Sequence, residues 1–201
     1  MRLTHLRRVD YHRMRWKNGL GWTSEIAISP AGAAFADDAY EWRLSIAELE
    51  ADSDFSALPG IDRTIALVEG AGMLLTSSAG ETVLERRGML HAFAGEIAVQ
   101  CRLIGGACRD FNVMTRRGRI AQRVLFRPLV GPMVFFAEPG VTWALYVVGG
   151  EARVQNAAGP LAVAQGETLL LESDEAPLRQ TVVDGGGEVL LARLERIPAA
   201  G

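Results

Sequence analysis

Apolar and polar residues alternate in short runs along most of the chain, and no long stretch keeps the 3.6-residue period of an amphipathic helix. Trp22, Ile26 and Ile28 fall on one face of an extended segment, with Thr23, Glu25 and Ala27 on the other. The same alternation sets Trp42, Leu44 and Ile46 opposite Arg43, Ser45 and Ala47, and Phe111 and Val113 opposite Asp110, Asn112 and Met114. The pattern predicts strands over 22–29, 40–49, 64–69, 72–77, 82–86, 97–104, 110–114, 123–126, 142–148, 151–155, 161–163, 168–171, 178–183 and 188–195. Asp37, Asp38 and the segment Asp52 to Ser56 read as loops or short turns. The fold class expected from this pattern is all-β.

Turn glycines give the strands a repeated order. Val68-Glu69-Gly70 opens a pair of apolar strands, Ser78-Ala79-Gly80 turns it, and Gly88 precedes Met89-Leu90-His91-Ala92-Phe93. Later in the chain, Val147-Val148-Gly149, Ala157-Ala158-Gly159 and Gly166 before Glu167-Thr168-Leu169-Leu170-Leu171 repeat the series, with spacings equal to within one residue. A repeated turn spacing implies a repeated supersecondary unit. Strand, glycine turn, strand, glycine turn, strand at this spacing resembles the middle of a cupin barrel, whose corners need positive φ. The expectation is a bicupin: two packed cupin-like β-barrels of jelly-roll type in one compact unit. Residues 1–118 would form the barrel with the ligand pocket, and 119–201 a mainly structural second barrel.

Composition narrows the function. At 201 residues, 49% hydrophobic and 22% charged, the chain matches soluble globular proteins. A net charge of -3 gives no global field to draw in nucleic acid or an anionic membrane. Apolar runs such as Ala144 to Val148 are far shorter than the roughly 20 residues of a membrane span. Met1 to Tyr11 is basic and lacks the apolar core of a secretory signal, so a cytoplasmic location is expected. Cys101 and Cys108 read as buried reduced thiols, because a turn at Gly105-Gly106 would place residue 103 opposite residue 108.

Candidate chemistry is sparse. His5, His12 and His91 are widely separated, with no H-x-H, so the paired ligands of a metal-holding cupin are absent and no cofactor is expected. His91 follows a turn glycine and reads as a structural histidine. The faces carrying Thr23 and Glu25, Arg43 and Ser45, and Asp110 and Asn112 either meet water or line a barrel mouth. They mix both charge signs with small side chains, which suits a pocket. Gly19 and Gly21 lack the third glycine and the βαβ setting of a dinucleotide fingerprint. They either let backbone amides approach a ligand beside Asn18 or simply turn a hairpin. The basic stretch Thr115-Arg116-Arg117-Gly118-Arg119 reads as solvated linker charge.

Four ordered motifs resemble one family. Trp16-Lys17-Asn18-Gly19-Leu20-Gly21-Trp22-Thr23-Ser24-Glu25-Ile26, Trp42-Arg43-Leu44-Ser45-Ile46-Ala47, Asp54-Phe55-Ser56-Ala57-Leu58-Pro59-Gly60-Ile61-Asp62-Arg63 and Asp110-Phe111-Asn112-Val113-Met114 together resemble the HutD/Ves family. Leu58 stands where the family pattern has an aromatic residue before Pro-Gly. The resemblance implies a metal-free bicupin that accompanies bacterial histidine-utilisation enzymes, binds a pathway metabolite (urocanate or N-formylglutamate) and restrains flux. Ves-type members are linked to cold response. It brings no established catalytic activity.

The leading expectation is therefore a non-enzymatic binder of a small carboxylate. Arg63 would hold the carboxylate in a fork of hydrogen bonds, with Arg43 as a second candidate. Asn18, Thr23, Ser45 and Asn112 would add neutral hydrogen bonds, and Trp16, Trp42 or Phe111 would wall the pocket. Glu25 and Asp110 would orient the arginines or accept from a ligand N–H. A metal-free isomerase or hydrolase using Glu25, Asp110 or His91 as acid and base is the alternative. A scaffold acting through the second barrel is a third class. Exposed sheet edges could also pair two copies into a homodimer.

Overall fold

The alternating pattern and the turn glycines give strands throughout the computed structural model, which describes residues 1–35, 39–156, 159–173 and 180–198. The predicted loop at Asp37 and Asp38, the turn residues Ala157 and Ala158, and the start of the strand predicted over 178–183 lie outside the described residues. Among the described residues there are strands β1 to β17 and a 3-10 turn at Arg8–Asp10, with no α-helix. Among the described residues no helix is long and apolar enough to cross a membrane, which says nothing of strands.

The chain divides into two compact units, Tyr11–Ile120 and Met1–Asp10 with Ala121–Gly201. The first ten residues, placed with the first barrel on sequence, go with the second. β1 (Arg2–Leu6) runs antiparallel to β16 (Thr168–Glu172), and Leu3 packs on that unit's apolar cluster.

In the Tyr11–Ile120 unit one sheet has the order β2 (His12–Arg15), β3 (Gly21–Ser29), β4 (Trp42–Leu49), β11 (Cys108–Arg116), β6 (Ile61–Glu69), β9 (Leu90–Ala94). A second has the order β5 (Ser53–Phe55), β10 (Val99–Leu103), β7 (Met73–Ser77), β8 (Gly80–Leu84). The core between them joins Leu49, Ile65 and Leu67 of the first sheet to Met73, Leu75 and Val99 of the second. Cys101 and Cys108 are buried there as free thiols, and burial pushes both up to about 12.

The other unit is built on β14 (Val141–Asn156) and β17 (Gln180–Arg196), each predicted as two strands. Their sheet runs β1, β16, β14, β17, β12 (Ile120–Leu129), with β13 (Met133–Phe136) on β17 and β15 (Gly159–Ala164) on β14. The glycines read as breaks are bends: Gly150 pairs with Gly187, and Ala152 with Gly185. Both halves of β14 reach one core, where Leu145 and Val147 join Ala152 and Val154. The sheets of both units are open rather than closed barrels, and the architecture is the cupin jelly roll.

The sequence repeat is visible in the backbone. Leu67 N donates to Met89 O and Gly88 N to Leu67 O, while Val147 N donates to Glu167 O and Gly166 N to Val147 O. Gly88 and Gly166 turn at φ of 81° and 82°.

Gly150 combines a φ of +81° with so close an approach that an added Cβ would lie 1.9 Å from Gly186 O. Gly150→Ala should therefore lower unfolding stability by more than about 1 kcal/mol. At Gly186, where an added Cβ would meet nothing within 4 Å, the same change should stay within about 0.5 kcal/mol. Paired urea denaturation curves measure both.

Candidate functional site

Period-two alternation sends one face of β4, β6 and β11 toward the second sheet, and along that face the chemistry changes. Leu49, Ile65, Leu67 and Cys108 serve the core, whereas Arg43, Ser45, Arg63, Asp110 and Asn112 line a cavity of about 440 Å³. Register aligns them: Ser45 lies beside Asn112, Ala47 beside Asp110, and Met114 between Arg43 and Arg63. Thr23 of β3 and Trp16, Lys17 and Asn18 of the β2–β3 turn complete one side, with Met14 and Arg15. Asp54 and Phe55 of β5, then Ser56 and Leu58, form the other.

Eight of the residues expected from sequence thus meet at one cavity: Trp16, Asn18, Thr23, Arg43, Ser45, Arg63, Asp110 and Asn112. Glu25 does not line it but grips a residue that does. Trp42 and Phe111 are buried on the opposite face of their strands and are not walls of the cavity. Their parity already placed them there, since residues 42 and 43, or 111 and 112, point to opposite sides of a sheet. Phe35 and Phe55 join Trp16 as the lining aromatics instead. Phe55 sat in a segment read as loop, and nothing in the alternation pattern marks Phe35. Alternation alone puts Ile28 on the face opposite Glu25. A bulge between Glu25 and Ala27 brings it level with Arg43, and it packs with Phe35, Leu58 and Met114. His91 is on β9, stacked on Phe93 at 5.4 Å and outside the lining; burial lowers its pKa.

The two glycines of the β2–β3 turn have structural work. Gly19 N donates to Trp16 O, Trp16 N donates to Gly21 O, and a Cβ on Gly21 would lie 2.3 Å from Glu48 O. The side-chain carbonyl of Asn18 accepts from Leu20 N at 3.0 Å, fixing the turn. Trp16 Nε1 donates to Thr23 Oγ1 at 2.8 Å, which orients the indole in the cavity wall.

The arginines differ in how their charge is met. Arg43 Nε donates to Glu25 Oε2 at 2.6 Å, and its guanidinium lies 4.3 Å from the Phe35 ring centre. Among the described residues Arg63 has no carboxylate at hydrogen-bond distance. Its guanidinium sits 5.2 and 5.0 Å from the Phe55 and Phe93 rings, with long hydrogen bonds to Ser56 O at 3.5 Å and Asn112 Oδ1 at 3.4 Å. Asn112 Nδ2 in turn donates to Asp110 Oδ1 at 3.2 Å. Burial lowers the Arg63 pKa to about 10, against the nearby charge of Asp110, and the cation remains protonated at neutral pH. Burial pushes the Asp110 carboxyl up to about 7 despite Arg63 and the Asn112 hydrogen bond. Arg63 Nε and Asp110 Oδ2 are buried without a hydrogen-bond partner among the described residues.

The lining holds three guanidinium groups, of Arg15, Arg43 and Arg63, the Lys17 ammonium, the carboxyl groups of Asp54 and Asp110, and no imidazole. Among the described residues no group of three or more His, Cys, Asp and Glu is placed to hold a metal ion. This donor set does not fit a divalent cation and does fit an anion with hydrogen-bond acceptors.

Because the folded Asp110 titrates near 7 and an unfolded aspartate near 4, the native state binds the extra proton between these values. The stability this proton confers is present at low pH and is lost as pH rises through about 7. Asp110→Asn should remove that slope, so the variant gains on the wild type as pH goes from about 5 to about 8. Urea denaturation at a series of pH values measures the difference; parallel curves would contradict it.

A family model described as HutD matches residues 8–191. An uncharacterised 21.2 kDa protein of the hutC 3' region of Pseudomonas putida is 40% identical over 119 residues, 59% of this chain and 61% of that protein. Protein Ves of Citrobacter koseri is 36% identical over 110 residues, 54% of this chain and 56% of that protein. These matches therefore span less than two thirds of the length of those curated relatives. Among solved structures, HutD from Pseudomonas fluorescens SBW25 (formate condition) is similar at 32% identity and a TM-score of 0.82, over 98% of this chain and 100% of that one. A conserved protein of unknown function from Pseudomonas aeruginosa PAO1 gives 30% identity and 0.84 over the same shares. A bacterial pirin from Escherichia coli, at 9% identity and 0.68 over 98% and 100% of the two chains, shares the fold alone. With the family model covering most of its length, the chain belongs to the HutD family.

Proposed function

We propose that this chain is a small-molecule-binding regulatory protein of histidine utilisation, taking a small carboxylate metabolite such as urocanate or N-formylglutamate into the cavity of the Tyr11–Ile120 unit. The observation that carries the reading is Arg63: a buried guanidinium on the wall of a cavity, with an N–H that no described residue accepts. A carboxylate supplies two acceptor oxygens matched to the guanidinium fork, and a desolvated arginine gains most from such a partner. Arg43, held by Glu25, adds a second positive edge. Thr23, Ser45 and Asn18 give the wall polar atoms for the rest of the ligand, and Phe35, Phe55 and Trp16 give it flat apolar surface. The structure of the HutD from Pseudomonas fluorescens in a formate condition is in keeping with a site for small carboxylates.

Asp110 supports a second reading. A buried carboxyl titrating near 7 beside an arginine also suits a general acid or base in a metal-free isomerase or hydrolase. Turnover of any of the tested metabolites would favour it. The other two groups of that alternative are placed less well, because Glu25 is engaged by Arg43 and His91 lies outside the lining.

A thermal-shift panel of urocanate, N-formylglutamate, histidine, glutamate and formate tests the binding reading. A ligand at about a hundred times its Kd adds roughly 2.7 kcal/mol, a rise of roughly 5 to 11 °C for a chain of this size. The shift should appear with a carboxylate and vanish in Arg63→Ala. A panel that moves the midpoint with none of the five would sink the reading, and a shift that survives in the variant would place the ligand elsewhere.

A further inference from the structure

Arg63 and Asp110 are opposite charges buried along the cavity wall, at 5% and 0% exposure, yet Asn112 stands between them. Its Oδ1 accepts from Arg63 Nη2 at 3.4 Å and its Nδ2 donates to Asp110 Oδ1 at 3.2 Å, so both ends of the amide are engaged. Two buried atoms are left over, the donor Arg63 Nε and the carboxyl oxygen Asp110 Oδ2. A ligand that satisfies both must accept from Arg63 and also complement Oδ2.

A carboxylate drawn to Arg63 reaches the second requirement only if Oδ2 carries a hydrogen. Two carboxylates sharing one site do not both remain ionised; one keeps a proton. The ligand oxygens rest on a guanidinium, which favours their charge, whereas Asp110 is fully buried and is joined to Arg63 by hydrogen bonds through Asn112. Asp110 is therefore the group that stays neutral.

Building on the carboxylate-binding reading, we propose that Asp110 is the specificity-determining partner of Arg63. Held as a neutral carboxylic acid, it donates Oδ2–H to one oxygen of the ligand carboxylate while Arg63 donates from Nε. The ligand is thus taken up as a carboxylate together with one proton. A protonated Oδ2 also discriminates: the carboxamide of the same skeleton presents N–H to a donor, and one of the two is left without an acceptor.

Burial already pushes Asp110 up to about 7, and an adjoining anion raises it further. The other titratable or charged groups around it are Arg43 of β4, Glu25 of β3, Asp54 of β5, Arg15 and Lys17 at the β2–β3 turn, and the thiols of Cys101 and Cys108. The thiols are pushed up to about 12 and Arg63 titrates near 10, so neither changes charge through pH 8.5 or so.

Calorimetric titration with N-formylglutamate and with formate tests the proposal, because their carboxyl groups titrate near or below about 4 and stay ionised throughout the range used. Wild-type Kd should be constant between about pH 5.5 and 6.5 and rise about tenfold per unit between about pH 7.5 and 8.5. Heats measured in two buffers of different ionisation enthalpy should report uptake of close to one proton per ligand at the upper pH. In Asp110→Asn both the slope and the proton uptake should disappear. The proton count of the wild type stands whether or not the variant folds. Binding with no pH slope and no proton uptake would overturn the proposal and leave the carboxylate reading intact. Failure of both probes to bind at any pH would overturn the reading and the proposal with it.

Discussion

A guanidinium buried without a carboxylate beside it is the constraint around which the Tyr11–Ile120 unit is arranged. Removing an ion from water costs several kcal/mol unless its surroundings replace hydration. The replacements come from four separate elements. β5 supplies Phe55, the loop after it supplies the Ser56 carbonyl, β9 supplies Phe93, and β11 supplies Asn112. The loop is pinned by Gly95, whose N donates to Ile61 O while its own carbonyl accepts from Leu58 N, both at 2.7 Å. A Cβ on Gly95 would lie 2.5 Å from Leu58 O, so no larger residue fits there without moving the segment that carries Ser56. A backbone detail on one side of the sheet thus holds the partner of a charge on the other side of the loop.

The same sheet face is core at one end and site at the other, and this ties stability to binding. Ile65 and Leu67 lie on β6 two and four residues beyond Arg63, packed against the second sheet. Close packing at the apolar end holds the spacing of β4, β11 and β6, and that spacing brings Ser45 level with Asn112 and Met114 level with Arg63. A ligand entering such a wall meets side chains whose backbones are already fixed on both sides by the ladder. Little ordering entropy remains to be lost on binding.

Much of this was legible in the sequence, for stated reasons. Alternation with period two placed Arg43, Ser45, Asp110 and Asn112 on shared faces, because the side-chain period of a strand leaves no other arrangement. The glycine turns disclosed the repeated unit, since positive φ restricts the residue type. Less legible were features set by pairing. Ile28 changes face through a bulge, a property of two strands in register rather than of one. β1, β2 and β5 are short and carry charge at every second or third position, so alternation is too brief to detect; β5 exists because it pairs with β10 at Val99 to Cys101. β14 and β17 look broken at their glycines, yet those glycines let two long strands bend together through close backbone contact. Phe35 reaches the cavity from a loop, where no periodicity points to it.

The two arginines show why composition alone could not assign their roles. Both are buried and both line the cavity, but Arg43 has Glu25 at 2.6 Å and a ring against its face, so its charge is met within the protein. Its positive edge shapes the potential of the wall while its geometry stays fixed. Arg63 is met by rings, a carbonyl and an amide, partners that solvate a cation without neutralising it. Asp110 is the nearest compensating group, and Asn112 keeps it one side chain away. Direct contact would have closed an internal ion pair, satisfied both buried atoms and left nothing for a ligand to gain. Interposing an amide stabilises each group in part and preserves an unmet donor and an unmet oxygen on two residues that line the cavity. That residual deficit, small against the stability of the whole unit, is the part of the electrostatics that a carboxylate can complete.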